Sequence, residues 1–209
     1  MIPVESRSPR KPRGHGAERR GEILDAALVL FAEQGVLGVT TRDIAASVGI
    51  SQPALYAHFQ NRDAILAELC ERAFGELAQR MGTVPVAAVI DRATLLRMCR
   101  IYINFGLERP DAYRVAFMLE KPDGRAEAQD SRILAAGLDT FEDFQARMAQ
   151  LVSTGSTRPG ETRLLTQCLW AGMHGLVSLL LARRDFPWVD LELLIDRHLD
   201  MLADGVLRP

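Results

Sequence analysis

Residues 40–69 read TTRDIAASVGISQPALYAHFQNRDAILAEL. Three helix starts fall within this one stretch. Thr40 and Asp43 are spaced as a capping box, with Thr40 as cap and Asp43 reaching back to it. Ile44, Ala45 and Val48 form the inner face of that first piece, and Gly49 ends it. Ser51 caps a second piece, in which Pro53 is tolerated because it lies in the first turn. Asn61 caps a third, which Ile65, Leu66, Leu69 and Phe74 carry to about Arg80. Two short helices joined by a tight glycine-containing turn predict a helix-turn-helix. A DNA major groove about 12 Å wide admits one helix, and only a few residues on it reach base edges. Leu55 and Phe59 are four apart and face inward. Pro53, Ala54 and Ala57 lie roughly opposite, small enough for close approach, with Gln52, Tyr56 and His58 flanking them.

Outside this stretch the pattern is helical almost throughout. Ile23, Ala27, Leu30 and Phe31 share one face of a helix that Gly35 and Gly38 end. Further helices are expected from Asp91 to Glu108, from Asp111 to about Leu119, over about 128–152, from Glu161 to Arg184 and from Pro187 to Leu202. Pro110 stops the first of these, Pro122-Asp123-Gly124 forms a turn, and residues 153–160 form a loop. Strand signals are absent. The expected fold class is all-α, with a shift in composition near residue 80.

Composition narrows the function. The net charge of −2 excludes a uniformly basic nucleic-acid binder. Charge is uneven, however. Residues 1–16 form a basic flexible tail, and up to residue 20 the chain carries Arg7, Arg10, Lys11, Arg13, Arg19 and Arg20 against Glu5 and Glu18. Such an arm suggests a polyanionic partner; the alternative is a solvated tail. Cys70, Cys99 and Cys168 are far apart, with no Cys-x-x-Cys and no Cys/His cluster, so neither zinc nor a disulfide framework is expected. That usage fits a reducing cytoplasm. The longest apolar run, around Leu176–Ala182, is too short to cross a membrane, and the N-terminus has no signal-peptide core. There is no Glu-x-x-His pair and no nucleotide loop. His174 and Ser178 share a helix face, but no acid accompanies them, so a catalytic triad is not read. Neither an enzyme nor a cofactor is expected.

Thr40-Thr41-Arg42-Asp43-Ile44-Ala45, then Gly49, then Leu55-Tyr56-x-His58-Phe59 and Arg62, resemble the DNA-binding domain of the TetR family of repressors. The usual lysine after the aromatic is Arg62 here, which keeps the charge. The resemblance implies a helix-turn-helix domain over 17–66 and a ligand-binding and dimerisation domain over 67–209. It implies that Arg42 reads a guanine edge, that Gln52 bonds a base and that Pro53 and Ala54 touch base methyls. Thr41, Tyr56, His58 and Arg62 would hold phosphates and fix register, with Ser51 beside them. For Tyr56 and His58 the alternative is packing of the turn. For Arg42 it is a solvated helix position or a phosphate contact. The tail would enter the minor groove.

In the larger part, Cys168-Leu-Trp170-Ala-Gly172-Met-His174-Gly175 is similar to a TetR subgroup with a Trp…His-Gly signature. Gly172, Gly175 and Ser178 lie three apart, a stripe that lets another helix approach closely. With Leu191, Leu194, Ile195, His198 and Met201 of the last helix they suggest a four-helix dimer interface. The alternative is that these faces complete the monomer core. Tyr102, Phe105, Phe117, Met118, Phe144, Met148, Trp170 and Met173 are large and apolar and suit an adaptable cavity, as do Tyr113 and Phe141. His174 would orient a polar ligand group; the alternative is a hydrogen-bonded core histidine. The family resemblance implies a homodimer on palindromic double-stranded DNA, released by a small-molecule effector. A ligand-independent DNA-organising protein is the competing function.

Overall fold

Each predicted cap holds the backbone that it was expected to hold. The structure is a computed structural model and describes residues 16–85, 91–118 and 127–208. The basic residues of 1–15 and the turn expected at Pro122–Gly124 lie outside the described residues. Nine α-helices and one π-helical turn make up the described fold: α1 (Gly16–Gln34), α2 (Thr41–Val48), α3 (Gln52–Tyr56), α4 (Arg62–Gly82), α5 (Arg92–Glu108), α6 (Pro110–Tyr113) running into the π-turn Arg114–Met118, α7 (Glu127–Ser153), α8 (Thr162–Ala182) and α9 (Leu191–Val206). The all-α expectation holds.

Locally the elements follow from the sequence. α1 buries Ile23, Leu24, Ala27 and Phe31 on one stripe. It ends where Gly35 turns to φ 75°, a conformation that glycine adopts without a Cβ clash. Thr40 and Asp43 close the capping box of α2, and Gly49 ends it at φ 70°. Ser51 accepts from Ala54 N over α3, and Asn61 accepts from Ala64 N at 2.7 Å over α4.

α4 joins the first helices to the larger part. It packs on α1, and along the same length on α5, α7 and the π-turn. The division expected between residues 66 and 67 therefore falls inside a continuous helix, whose end at Gly82 is close to the composition shift. α5 and α8 cross closely at Gly106, where an added Cβ would stand 2.5 Å from Val177 Cγ1.

Two spans differ from expectation. The helix expected from Asp111 begins at Pro110 and widens into the π-turn, where Tyr113 and Phe117 stack at 4.8 Å. The last helix starts at Leu191, because Asp190 accepts from Leu193 N, and it continues to Val206. A third reading needs correction. α8 as a whole is long and apolar enough to cross a membrane, although its longest uninterrupted run is short. Leu165, Leu169, Met173, Val177 and Leu181 lie buried along it, so one face belongs to the core.

Candidate nucleic-acid interface and adjoining cavity

The outer surface of α2 and α3 carries the expected reading residues. Thr41, Gln52 and Tyr56 form one hydrogen-bonded cluster. Gln52 Nε2 donates to Thr41 Oγ1 at 2.9 Å and to Tyr56 OH at 3.3 Å, and the two hydroxyls stand 3.2 Å apart. The cluster ties the first helix to the second and presents Gln52 Oε1 as its remaining acceptor. Arg42, Ser51, Pro53, Ala54 and Tyr56 are exposed. Among the described residues no hydrogen bond or ion pair holds the Arg42 guanidinium. Hydrogen bonds from Thr40 keep the neighbouring Asp43 carboxyl below its usual range, so it stays charged and capping.

Arg62 and Arg20 are placed differently. Arg62, expected on phosphates, donates through Nη1 to Val36 O at 3.0 Å and Val39 O at 3.4 Å, and through Nε to Asp63. Its guanidinium clasps the loop between α1 and α2. Arg20, read as part of the basic arm, pairs with Glu68, donates to His58 O and lies 4.0 Å over the Phe59 ring. Arg19 pairs with Glu22. Arg20 braces the head, whereas the Arg19 pair lies within α1. The signal available in sequence was their helical register with α1, which puts them inside the helix. His58 is half-buried beside Arg20, and its N–H donates to Leu55 O.

In the larger part a cavity of about 310 Å³ opens between α4, α5, α7, α8 and the π-turn. Of the residues expected there, Tyr102, Phe117, Phe144, Trp170 and Met173 line it, as does Phe141. Phe105, Met118, Met148 and His174 do not. Phe105 and Met148 are fully buried in the core, Met118 is exposed, and His174 stands behind the wall. Sequence reading missed the α4 wall of Phe74, Leu77 and Met81. It also missed Leu134, Gly137 and Leu138 of α7, and Arg163 and Gln167 of α8. The spacing of Leu134, Leu138 and Phe141 on one face of α7 was the available signal.

Behind the cavity runs a chain of polar groups. Trp170 Nε1 donates to Tyr102 OH at 3.1 Å, Tyr102 OH meets Tyr113 OH at 2.9 Å, and Tyr113 OH meets His174 Nδ1 at 2.7 Å. His174 Nε2 meets Ser178 Oγ at 3.2 Å. Burial pushes the Tyr102 hydroxyl up to about 12, raises Tyr113 further and lowers His174. The chain is therefore a neutral hydrogen-bond network at physiological pH, and it fixes the rings that wall the cavity.

The expected dimer stripe divides. A Cβ on Gly172 would stand 2.6 Å from Leu202 of the same chain, Ile195 is buried, and His198 Nε2 lies 3.0 Å from Gly172 O. Ser178 belongs to the polar chain. These four have partners within one chain, and the close approach at Gly172 is between α8 and α9. Gly175 faces open space within 4 Å. Leu194 is half-buried, whereas Leu191 and Met201 are exposed, as are Leu164, Leu179 and Leu193.

Comparison with known proteins agrees with this geometry. Residues 23–69 match the family described as bacterial regulatory proteins, tetR family, and residues 95–202 match the tetracyclin repressor-like C-terminal domain. That description names the wider family and not the Trp…His-Gly subgroup. The nucleoid occlusion factor SlmA of Salmonella typhi is 30% identical over 171 residues, covering 77% of this chain and 81% of SlmA. The HTH-type transcriptional repressor KstR2 of Rhodococcus jostii is 36% identical over 77 residues, covering 37% of this chain and 38% of that protein. Among solved structures, the fatty acid degradation regulator FadR of Bacillus halodurans superimposes with a TM-score of 0.73 at 17% identity, covering 94% of this chain and 98% of that one. The ketosteroid regulator KstR2 of Mycobacterium tuberculosis superimposes with a TM-score of 0.71 at 22% identity, covering 91% and 96%. These two likenesses establish the fold. This chain belongs to the TetR family of bacterial transcriptional regulators.

Proposed function

We propose that this protein is a homodimeric repressor that binds a palindromic operator and leaves it when a small amphipathic molecule fills the α7–α8 cavity. The observation that carries the reading is α4. Its first turn holds the loop of the head through Arg62, while Phe74, Leu77 and Met81 of the same helix wall the cavity. A molecule that prefers one tilt of this helix shifts the population of head positions; one with equal affinity for both shifts nothing. The exposed leucines of α8 and α9 support self-association, because an apolar face of that extent calls for a partner. On the head, Arg42 is the base-reading group, Pro53 and Ala54 contact base methyls, and the Thr41–Gln52–Tyr56 cluster fixes register. A dimer carrying two such heads reads a two-fold operator.

The test is selection from a random duplex library with the purified protein, alongside its mass in solution. An enriched palindrome and a dimeric mass are expected. Unselective, salt-sensitive binding would overturn this reading and favour a DNA-organising role. The likeness to SlmA, named a nucleoid occlusion factor, is the observation on that side.

A further inference from the structure

We infer that the α7–α8 cavity takes a single-chain amphiphile with an anionic head group, and that Arg163 is the head-group partner. The inference rests on the effector reading above and gives it a chemical class.

The wall sets the class. No acidic side chain lines the cavity among the described residues, and Arg163 supplies its charge. The polar groups further in are already bonded: Thr140 Oγ1 donates to Ala136 O at 2.9 Å, and Tyr102 OH is held by Trp170 and Tyr113. A polar group of a ligand placed there would lose water without gaining a partner. The interior formed by Phe74, Phe117, Phe144 and Met173 accepts hydrocarbon.

The mouth is different. Arg163 and Gln167 stand one turn apart on α8, both exposed, and among the described residues neither makes a hydrogen bond or ion pair. The Arg163 guanidinium lies 5.9 Å from the Phe141 ring centre. An arginine fork with no carboxylate partner, at the rim of an apolar chamber, suits a planar or tetrahedral anion. Leu134 and Leu138, 62% and 40% exposed, extend the apolar surface along the rim, where the head end of a chain would cover them. Past Met81, a second cavity of about 70 Å³, bordered by the exposed Gly82 and Asp143 and by Arg147, shares Met81, Thr140 and Phe144 with the first. The path from Arg163 past Met81 is therefore a route for a chain, with Met81 as its adjustable stop.

The experiment is calorimetric titration of the full chain, without DNA, with dodecanoate, dodecyl phosphate, dodecanol and dodecylamine. At least one anion should bind about tenfold more tightly than dodecanol, a difference within the reach of one charge-assisted pair, and dodecylamine should bind most weakly. Which anion wins tells carboxylate from phosphate. Arg163→Gln should bring that anion to the level of dodecanol and leave dodecanol unchanged; Arg163→Lys should keep part of the preference. Titrated with a series of that anion of increasing chain length, the protein should show an optimum that Met81→Ala moves to a longer chain. Equal binding of dodecanol and both anions, or an anion preference that survives Arg163→Gln, overturns the head-group assignment. No binding of any of the four overturns the amphiphile, and an unmoved optimum in Met81→Ala overturns the route. Failure of the repressor reading is separate. A protein that binds the anion but is not released by it from a selected duplex keeps this site and loses the switch.

Discussion

The head and the body each hold a polar cluster beside the candidate site, and the two are built over different lengths of chain. In the head, Thr41, Gln52 and Tyr56 are at most 15 residues apart. In the body, the chain from Trp170 through Tyr102 and Tyr113 to His174 joins residues 68 apart. The first cluster is set by two short helices and their caps, which are local. The second exists only after α5, α6 and α8 have packed. The head is thus specified by motif, and the body by packing.

The largest test of that contrast is Phe31→Ala. Phe31 is fully buried where α1 meets the head, and its loss should destabilise the protein by about 3–5 kcal/mol in denaturant unfolding. A much smaller loss would mean that the body holds the head up. Gly106→Ala attacks the body at the α5–α8 crossing. Overpacking against Val177 should remove about 1–3 kcal/mol and leave operator choice unchanged. Arg42→Ala should do the reverse, relaxing preference at one base pair by about 1–3 kcal/mol with unfolding unchanged. Intact sequence preference in that variant would refute the base-reading role. Thr40→Ala removes the cap of α2 and should lower stability by about 1 kcal/mol while weakening DNA binding at every sequence.

The smallest effect is the pH response of His174. Its folded pKa is lowered from 6.5 by burial. Above that value neither state is charged and it contributes nothing. Below it the unfolded chain takes up a proton that the folded site resists, so stability falls as pH falls. Unfolding midpoints measured between about pH 5 and 8 should show a shallower acid loss in His174→Gln. An unchanged slope would place the titration elsewhere.

The same contrast explains what could be read from the chain. Thr40, Gly49, Ser51 and Asn61 were legible because a cap acts on a backbone group three residues away. The helices of the body were legible from period and from Pro110. The cavity was legible only in part. Tyr102 and Phe105 sit on one helix and are both large aromatics in sequence, yet one lines the cavity and the other is sealed in the core. Period gives a face, and which neighbour covers that face depends on crossing angles that the sequence does not spell out. Arg62 shows the limit in the head as well. Its charge suggested phosphate, while the carbonyls of Val36 and Val39 that it meets come from a loop 26 and 23 residues away.

Finally, α4 has a length. Its 21 residues at 1.5 Å each make a rod about 31 Å long. Moving one end of such a rod by about one base step, ~3.4 Å, needs a tilt of only about 6° over ~31 Å. Side chains at the cavity end can absorb a tilt of that size by shifting rotamers. In the proposed dimer, two reading heads set to a fixed spacing could not, because each would be out of step with its half-site. Under the proposed function, the helix would work as a lever whose short movements are felt at the far end, so the occupant of the cavity could be small.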